Sequence, residues 1–401
     1  MRGYGAVVTD DAGRAGLLRR RSDGTRVTYL ELFFDLVFVF AVTQLAHLLL
    51  PDISWAGVGR TFLLLTAVWW AWIDTAWVTN WFDPGGRPVR FMLLTATLAS
   101  LVMSAAIPHA YQDRALAFAV AYAAMHIGRP VFVIVAAPRQ ERALRVNFQR
   151  ILGWRGVSAL LWIAGALLPG PARITLWCVA VVLDFLAPAV GFYLPGLGPT
   201  PTSDWNIAGN HLAERCQLFV IIALGEGILL IGATFADLPV TALRSAAFLV
   251  VFLEAVALWW IYFDHTADFG SSVIGASDDP GRLGRSTYTY FHLPMIAGIV
   301  LSAVGDETVI AHPDHDLGWA RAMLALGGPA LFLAGHALYK WSLTRHVPVS
   351  RAVAAAVLVA LVPLVRYAPP VPAELVPVAV IAVVAALDAV HASRNIVTQS
   401  A

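Results

Sequence analysis

Charged residues are scarce in this chain. Only 13% of its 401 residues are Asp, Glu, Lys or Arg, whereas soluble domains carry about 25%, so a soluble fold would have too little polar surface. The formal net charge is +1, which excludes the strong basic field that nucleic-acid binding requires. Hydrophobic residues make up 59% of the chain and the mean hydropathy is +0.70. The composition therefore predicts an integral membrane protein whose main partner is the lipid bilayer.

Cysteine is rare, and a phosphate-binding loop is absent from the sequence. Two cysteines, Cys178 and Cys216, are too few for a disulfide framework or a thiolate metal cluster. Because both lie in apolar stretches, we expect buried, unreactive thiols. No glycine-rich phosphate loop with its lysine occurs, which argues against ATP-driven chemistry within this chain.

The sequence consists mainly of long apolar runs. A helix needs about 20 apolar residues to cross a hydrocarbon core about 30 Å thick, and only helices or closed barrels satisfy their backbone there. The runs are continuous rather than alternating, and clusters of proline and glycine separate them, which predicts an all-α fold. The twelve predicted transmembrane helices are residues 29–50, 58–82, 90–109, 114–137, 150–169, 172–194, 211–236, 241–265, 286–305, 317–344, 350–368 and 372–393.

The basic residues predict an orientation. With the N-terminus in the cytoplasm, 18 of the 27 Lys and Arg residues fall in cytoplasmic segments and 6 in outer segments, as expected because these residues resist translocation. The other three, Arg129, Arg155 and Arg215, lie inside predicted spans. We therefore expect a multi-pass protein of the bacterial inner membrane, with cytoplasmic tails at 1–28 and 394–401.

The two halves of the chain share a motif. Residues 69–74 read WWAWID in the second predicted span, and residues 259–264 read WWIYFD in the eighth. A duplication of six spans would give two parallel repeats related by an axis along the membrane normal. These halves would be residues 29–194 and 211–393, joined by a loop at 195–210. The alternative is a single twelve-helix bundle without symmetry.

Glu31 and Asp35 are candidate functional residues in the first span. An ionisable residue at the bilayer centre costs at least about 2.5–3.5 kcal/mol, so those that persist usually face protein or water. Four residues apart, the two carboxylates share one helix face. Their repulsion demands a proton or a cation nearby. The alternative is that both lie at the cytoplasmic interface and are hydrated.

The seventh span carries a denser polar set. His211 and Arg215 share a face, Glu214 lies beside them, and Glu226 follows about 16 Å further along at 1.5 Å per residue. One alternative makes Arg215 a structural contact that pairs with the acids of the first span. His211, Glu214, Glu31 and Asp35 could also hold a metal ion, but the spacing lacks the second histidine of the helical zinc motif. We predict neither a metal nor a cofactor.

Other ionisable residues lie in the remaining spans, and each alone is better explained as a contact between helices. An acidic loop after the ninth span, with Asp306, Glu307, Asp314 and Asp316, is predicted to face outward. The additional ionisable residues within spans are Asp74, Asp184, Glu254, Asp264, His292, His336 and Asp388. The predicted substrate or proton path consists of Glu31, Asp35, Asp74, His211, Glu214, Arg215, Glu226, Asp264 and His292.

Four segments resemble the bacterial low-temperature-requirement A family, LtrA. They are ELFFDLVFVFAVTQLA at 31–46, HLAERCQLFVIIALGEGI at 211–228, WWIYFD at 259–264 and YFHLP at 290–294. The resemblance extends from residue 29 to about residue 390. It implies a polytopic inner-membrane protein of a family named for a growth phenotype in the cold. It implies no established substrate or reaction, and therefore no role for any residue.

Three functional hypotheses follow. The first is a transporter or carrier for a small solute, an ion or a lipid-like molecule, with the buried carboxylates and Arg215 along its path. The second is an intramembrane enzyme that acts on a lipid or natural-product-like substrate through His211 or His292 and a carboxylate. The third is a membrane scaffold whose buried charges only join helices. The sequence predicts neither the substrate nor the oligomeric state.

Overall fold

The computed structural model is helical throughout its regular structure. It describes residues 14, 16–19, 26–205, 207–264 and 266–399, with side chains up to residue 390. Most of the predicted tail at 1–28 lies outside the described residues, as do the side chains of the predicted tail at 394–401. Within the described residues no strand occurs beyond isolated bridges, so the prediction of an all-α fold is confirmed.

Twelve long helices in the described part of the chain correspond to the twelve predicted runs. They are α1 Tyr29–Leu49, α2 Trp55–Trp81, α3 Arg87–Ala106, α4 Ala115–Ala136, α5 Arg142–Ala166, α6 Gly170–Ala189, α7 Gly209–Asp237, α8 Ala242–Phe263, α9 His292–Ala311, α10 Gly318–Thr344, α11 Val349–Val365 and α12 Pro370–Gln399. Short helical segments lie between α8 and α9, including a π-helical turn at Gly284–Tyr290.

Ten of these helical segments are long and apolar enough to cross a bilayer. The exceptions are α11, which has only 17 residues, and the arginine-rich α5, whose sequence is less apolar. The architecture is therefore that of a polytopic membrane protein. The exact number of spans and the two-repeat symmetry stay predictions.

Polarity is arranged as a bilayer requires. Large apolar side chains point outward on the helices, for example Phe91 at 71% exposure and Leu98 at 63%. Charged side chains such as Arg155 and Arg215 are instead at most 1% exposed. Because lipid offers no hydrogen bonds, this inverted distribution satisfies both kinds of side chain.

The chain forms two compact units. Unit 1 comprises the described residues of Met1–Leu48 together with Gly59–Arg215 and Ile274–Arg285. Unit 2 comprises Leu49–Val58, Cys216–Val273 and the described residues of Ser286–Ala401. Unit 1 thus holds α1, α3 to α6 and most of α2, and unit 2 holds α8 to α12.

Helices α9 and α10 in unit 2 approach each other closely. A methyl group added to Gly298 would come within 2.5 Å of the backbone nitrogen of Phe332 and 2.7 Å of the Gly328 carbonyl oxygen. Small residues permit such backbone contact between membrane helices. The contact holds α9 in place and, with it, the polar residues that α9 carries.

Two sequence expectations need correction. Asp306 and Glu307 do not lie in a loop, because α9 continues to Ala311, and Asp306 is only 5% exposed. The apolar residues that follow this acidic pair extend the helix. Cys216 is buried as expected, but Cys178 is exposed on α6, and the two cysteines form no disulfide bond.

Candidate functional site

The first turn of α1 positions Glu31 and, one turn later, Asp35. The backbone nitrogen and the hydroxyl of Thr28 donate to Oε2 of Glu31 at 2.8 and 2.9 Å, and the backbone nitrogen of Glu31 donates to the Thr28 hydroxyl at 3.3 Å. This reciprocal arrangement is a capping box, which satisfies free backbone donors at a helix start. The other carboxylate oxygen of Glu31, Oε1, faces the interior on the same side of α1 as Asp35.

The start of α7 positions His211. Asn80 fixes the backbone just before it, since its Oδ1 accepts from the Ala208 nitrogen at 2.6 Å and its Nδ2 donates to the Ala208 carbonyl at 2.9 Å. Nδ2 of Asn80 also lies 3.4 Å from Nδ1 of His211. An amide nitrogen can only donate, so Nδ1 accepts and the ring hydrogen is on Nε2. That nitrogen lies 3.0 Å from Oε1 of Glu31.

Arg215 lies between the two carboxylates of α1. One guanidinium nitrogen donates to Oδ1 of Asp35 at 2.6 Å, and the other donates to Oε1 of Glu31 at 3.2 Å and to the Thr79 hydroxyl at 3.3 Å. Trp72 donates its indole hydrogen to the same Asp35 oxygen at 2.7 Å. Glu31, Asp35 and Arg215 all have zero exposure. The predicted pairing between the first and seventh helices therefore exists.

The network is close to neutral. Arg19 adds a second cation, because its guanidinium lies 3.4 Å from Oε1 of Glu31 and its Nε donates to the Thr79 carbonyl at 3.1 Å. Two arginines therefore face two carboxylates. Oδ2 of Asp35 is buried and has no hydrogen-bond partner. A lone carboxylate oxygen in an apolar interior is costly, so it is a natural acceptor for a proton.

A cavity of about 790 Å³ adjoins this network within unit 1. Arg19 and Asn80 line it, and these two side chains also contact Glu31 and His211 as described above. Asn147 lines it too, is only 5% exposed, and has an amide oxygen without a hydrogen-bond partner. The cavity therefore offers an unsatisfied polar atom and shares two of its lining residues with the surroundings of a buried ionic cluster.

Asp184 anchors a second buried ionic network of unit 1. It accepts hydrogen bonds from Arg155 at 2.5 Å, from the Tyr122 hydroxyl at 3.0 Å and from the Ser158 hydroxyl at 2.9 Å. The other guanidinium nitrogen of Arg155 donates to Asp74 at 2.9 Å. The predicted path residue Asp74 thus belongs to this second network.

Arg129 balances the charge of the second network. Its guanidinium lies 3.8 Å from Asp74 and donates to the Thr75 hydroxyl at 2.7 Å. The Arg155 guanidinium stacks over the Trp70 ring at 4.5 Å, an attraction that grows when the cation is desolvated. Two acids and two arginines therefore join α2, α4, α5 and α6.

The other predicted path residues lie elsewhere. Glu214 is partly exposed and lies near the Val27 backbone. Glu226 is 5% exposed and belongs to unit 2, whereas Arg215 belongs to unit 1. Asp264 is exposed at the end of α8, where it accepts from the Trp260 indole at 3.2 Å.

His292 lies in an aromatic cluster of unit 2 and is held on both sides. Its Nδ1 lies 2.9 Å from the Thr287 carbonyl oxygen, so it donates there. Nε2 therefore accepts from the Tyr262 hydroxyl at 2.8 Å. The ring of Tyr288 stacks near it, with centroids 5.2 Å apart. Both nitrogens are thus occupied within the protein.

Comparison with known proteins identifies the family. The family model of the bacterial low temperature requirement A protein (LtrA) matches residues 26–387. The chain belongs to the LtrA family. A protein of Rhizobium meliloti (strain 1021), named "Uncharacterized protein RA0937", is 40% identical over 336 residues, which are 83% of this chain and 82% of that protein. No solved structure matches the LtrA chain.

Some residues of the LtrA network were missed in the sequence. Arg19 precedes the first span and lies in the predicted cytoplasmic tail. The sequence pattern singles out neither Asn80 nor Thr79, and it marks Trp72 only as part of the repeated motif. A pair of buried carboxylates requires several hydrogen-bond donors. That requirement could have directed attention to the polar residues near the same end of the second span.

The possible metal set does not converge in this LtrA structure. Arg215 bridges Glu31 and Asp35 through its hydrogen bonds to both carboxylates. Among the described residues, a different group of acidic side chains brings its ligand atoms close enough together to hold an ion. That group lies in unit 2.

Proposed function

We propose that this LtrA protein is a proton-coupled carrier for a small polar solute, with Glu31, Asp35 and Arg215 at its core. One observation carries the proposal: a buried, nearly neutral ionic network directly adjoins a cavity of about 790 Å³. A charged network that served only to join helices would not need a solvent-sized space beside it. Intramembrane ionisable residues next to cavities commonly mark substrate or proton pathways.

Asp35 is the proposed proton-exchanging group. Its Oδ1 is fixed by Arg215 and Trp72, whereas its Oδ2 has no donor. Protonation at Oδ2 would weaken the pull on Arg215 and leave that guanidinium bonded to Glu31. The network thus has two states that differ by one proton and one ion pair. Such a pair of states is what the coupling of proton movement to solute movement requires.

The lining of the cavity favours a solute that has both an anionic and a donor group. Arg142 and Arg150 line it together with Glu141 and Asp204, so the lining carries both signs of charge, and guanidinium groups bind carboxylates and phosphates well. The free amide oxygen of Asn147 requires a donor. Because these arginines belong to a predicted cytoplasmic segment, we place the cavity at the cytoplasmic end of unit 1, in the inner membrane.

The two alternatives differ in what they require of histidine and of stability. Under the enzyme hypothesis, His292 is no longer a candidate acid or base, because both of its ring nitrogens are engaged. The acid–base pair would then be His211 and Glu31. The scaffold hypothesis requires only that the network hold helices together. It predicts that neutralising Asp35 lowers protein abundance and leaves no other effect.

A liposome assay tests the proposal. The full-length protein is first screened by thermal unfolding against amino acids, carboxylates and phosphate esters, to find a solute that stabilises it. Liposomes with a trapped pH dye then report proton movement when that solute is added. We expect the wild type to acidify the lumen in response, and Asp35→Asn to bind the solute but to lose at least about 90% of the proton movement.

The matched control is Glu214→Gln, which removes a neighbouring acid of α7 outside the network and should transport normally. Chemical conversion of the stabilising solute, detected by mass spectrometry, would favour the enzyme. Solute flux that is equal in wild type and Asp35→Asn would contradict proton coupling at this residue. A loss of abundance alone in Asp35→Asn would favour the scaffold.

A further inference from the structure

Three acidic side chains of unit 2 meet inside the helical bundle. Glu254 of α8, Asp306 of α9 and Glu374 of α12 each offer a carboxyl oxygen, and these oxygens all lie within 4.8 Å of one another. Their exposures are 0%, 5% and 0%. They come from three different helices and are separated by 52 and 68 residues along the chain, so tertiary packing brings them together.

The acid triad, Glu254, Asp306 and Glu374, lacks hydrogen-bond donors. Both oxygens of Glu254, both of Glu374 and Oδ1 of Asp306 are buried without a hydrogen-bond partner. Ser302 lies one turn before Asp306 on α9 and is 3% exposed. Its hydroxyl oxygen neighbours Glu254 and has no partner at full hydrogen-bonding geometry. A fourth oxygen therefore lies beside the triad and could serve as a ligand.

Basic side chains on the surrounding helices are engaged elsewhere. Arg244 of α8 donates to the carbonyls of Ile310 and Pro239, and Arg321 of α10 donates to the carbonyl of Leu317 at 3.0 Å. In the described part of the chain, no ion pair links any triad carboxylate to an arginine, a lysine or a histidine. His336 and Lys340 of α10 and Asp388 of α12 instead belong to a cluster around Arg351.

The triad must be neutralised, either by protons on its carboxyl groups or by a bound cation. Three carboxylates that close repel one another strongly in a low-dielectric interior, and each isolated buried charge carries a large desolvation cost. We propose that the acid triad, with the Ser302 hydroxyl, is a binding site for a hard divalent cation of the Ca²⁺, Mn²⁺ or Mg²⁺ class. This site lies in unit 2 and does not depend on the proposed transport.

The donor set selects the class of ion. Carboxylate and hydroxyl oxygens suit Mg²⁺, Ca²⁺ and Mn²⁺, whereas softer metals prefer sulfur and imidazole ligands. Ca²⁺ binds oxygens at about 2.3–2.6 Å, so oxygens on opposite sides of the ion lie about 4.6–5.2 Å apart. The triad fits this span, and its six carboxyl oxygens plus one hydroxyl could supply the 6–8 ligands that Ca²⁺ takes. We therefore expect Ca²⁺ to bind best.

The loop that follows α9 is acidic as well. Asp314 and Asp316 are exposed there, a few residues after Asp306. A backbone hydrogen bond, and then the His315 ring at 2.9 Å, lower the pKa of Asp314, so it is ionised at neutral pH. Acidic groups raise the local concentration of cations, which favours a cation over an anion on this part of unit 2.

Metal content and thermal unfolding of the full-length protein test the site. Protein treated with EDTA and then exposed to CaCl₂, MnCl₂ or MgCl₂ is analysed for retained metal, and tryptophan fluorescence follows its unfolding. We expect one retained ion per chain and a saturable rise in Tm, largest for CaCl₂. Since cation binding must displace protons, affinity should rise by about tenfold per pH unit for each proton released.

Matched variants locate the ion. Glu254→Gln and Glu374→Gln should each weaken the CaCl₂ response by more than about tenfold, whereas Glu307→Gln, beside Asp306 on α9, should leave it unchanged. Infrared difference spectra of the wild type give a readout that needs no variant: removing the cation should produce a protonated carboxyl band. Absence of retained metal together with a permanent protonated band would overturn the proposal, as would equal CaCl₂ responses in wild type and Glu254→Gln.

Discussion

Buried acids are neutralised in two different ways in this protein. In unit 1, Asp184 and Asp35 each accept a hydrogen bond from an arginine of the same unit, at 2.5 and 2.6 Å. In unit 2, the acid triad contacts no arginine among the described residues. A covalently attached cation is permanent, whereas a proton or a bound ion can exchange. The difference therefore separates acids that are paired with a fixed arginine, among which Asp35 still keeps one oxygen without a donor, from acids that depend entirely on an exchangeable proton or ion.

The largest expected effect comes from removing a permanent cation. Arg155→Met leaves Asp184 and Asp74 without their closest partner, which should lower the free energy of unfolding by about 3–5 kcal/mol. The yield of monodisperse protein and its thermal unfolding measure the loss. Arg87→Met, at the exposed start of α3, is the matched control. A yield of Arg155→Met equal to that of the control would mean that the network is not structural.

Arg215→Met should cost less, toward the lower end of about 3–5 kcal/mol, because Arg19 still faces Glu31. Adding Asp35→Asn removes the carboxylate that the first substitution left unpaired. The double variant should therefore recover about 0.5–3 kcal/mol, the usual range of coupling between contacting residues. Unfolding of both variants in the same detergent checks this. Additive losses would show that Asp35 and Arg215 are energetically independent.

Removing an acid from the triad should change the stability of the protein in the opposite direction. In the presence of EDTA, Glu254→Gln removes one of three crowded acids, so stability should stay equal or rise by about 1 kcal/mol at most. Asp184→Asn, which breaks a bond to Arg155, should destabilise the protein under the same conditions. Parallel melting curves of the two variants measure the contrast. A matching loss in both would remove the distinction between the two kinds of buried acid.

The smallest effect is expected at the repeated motif. Asp74 is bonded to Arg155 at 2.9 Å, whereas Asp264 is exposed and accepts a hydrogen bond from Trp260 at 3.2 Å. Asp264→Asn should leave Tm and abundance unchanged within error, and Asp74→Asn should lower both. The comparison of the two variants tests whether the motif has one role. Similar losses would support equivalent functions in the two halves.

The pairing of the first and seventh helices was accessible from the sequence. Glu31 and Asp35 on one helix face, and His211 and Arg215 on another, leave few ways to satisfy four polar groups in hydrocarbon. The network around Asp184 was less accessible. Its partner Arg155 belongs to a different helix, and nothing in either local segment specifies which helices are neighbours.

The acid triad was the hardest feature to predict. Asp306 precedes Glu307 and was assigned to an outward loop, although the apolar residues after it continue the helix. Glu374 follows Pro369, Pro370 and Pro372, so it resembles a polar residue at the turn before the last run. Glu254 was recognised, but as one isolated acid. A search for acids flanked on both sides by apolar residues finds Glu254 and Glu374 but not Asp306, which is followed directly by Glu307.

The sequence alone determined that this protein is helical and embedded in a membrane, because the length and polarity of its runs leave hydrocarbon as the compatible solvent. It also determined which residues are too costly to leave unsatisfied there. Only the tertiary structure decided which of those residues meet. The reason is that the cost of a buried charge depends on each residue and its surroundings, whereas its neutralisation depends on contacts between helices that are distant in the chain.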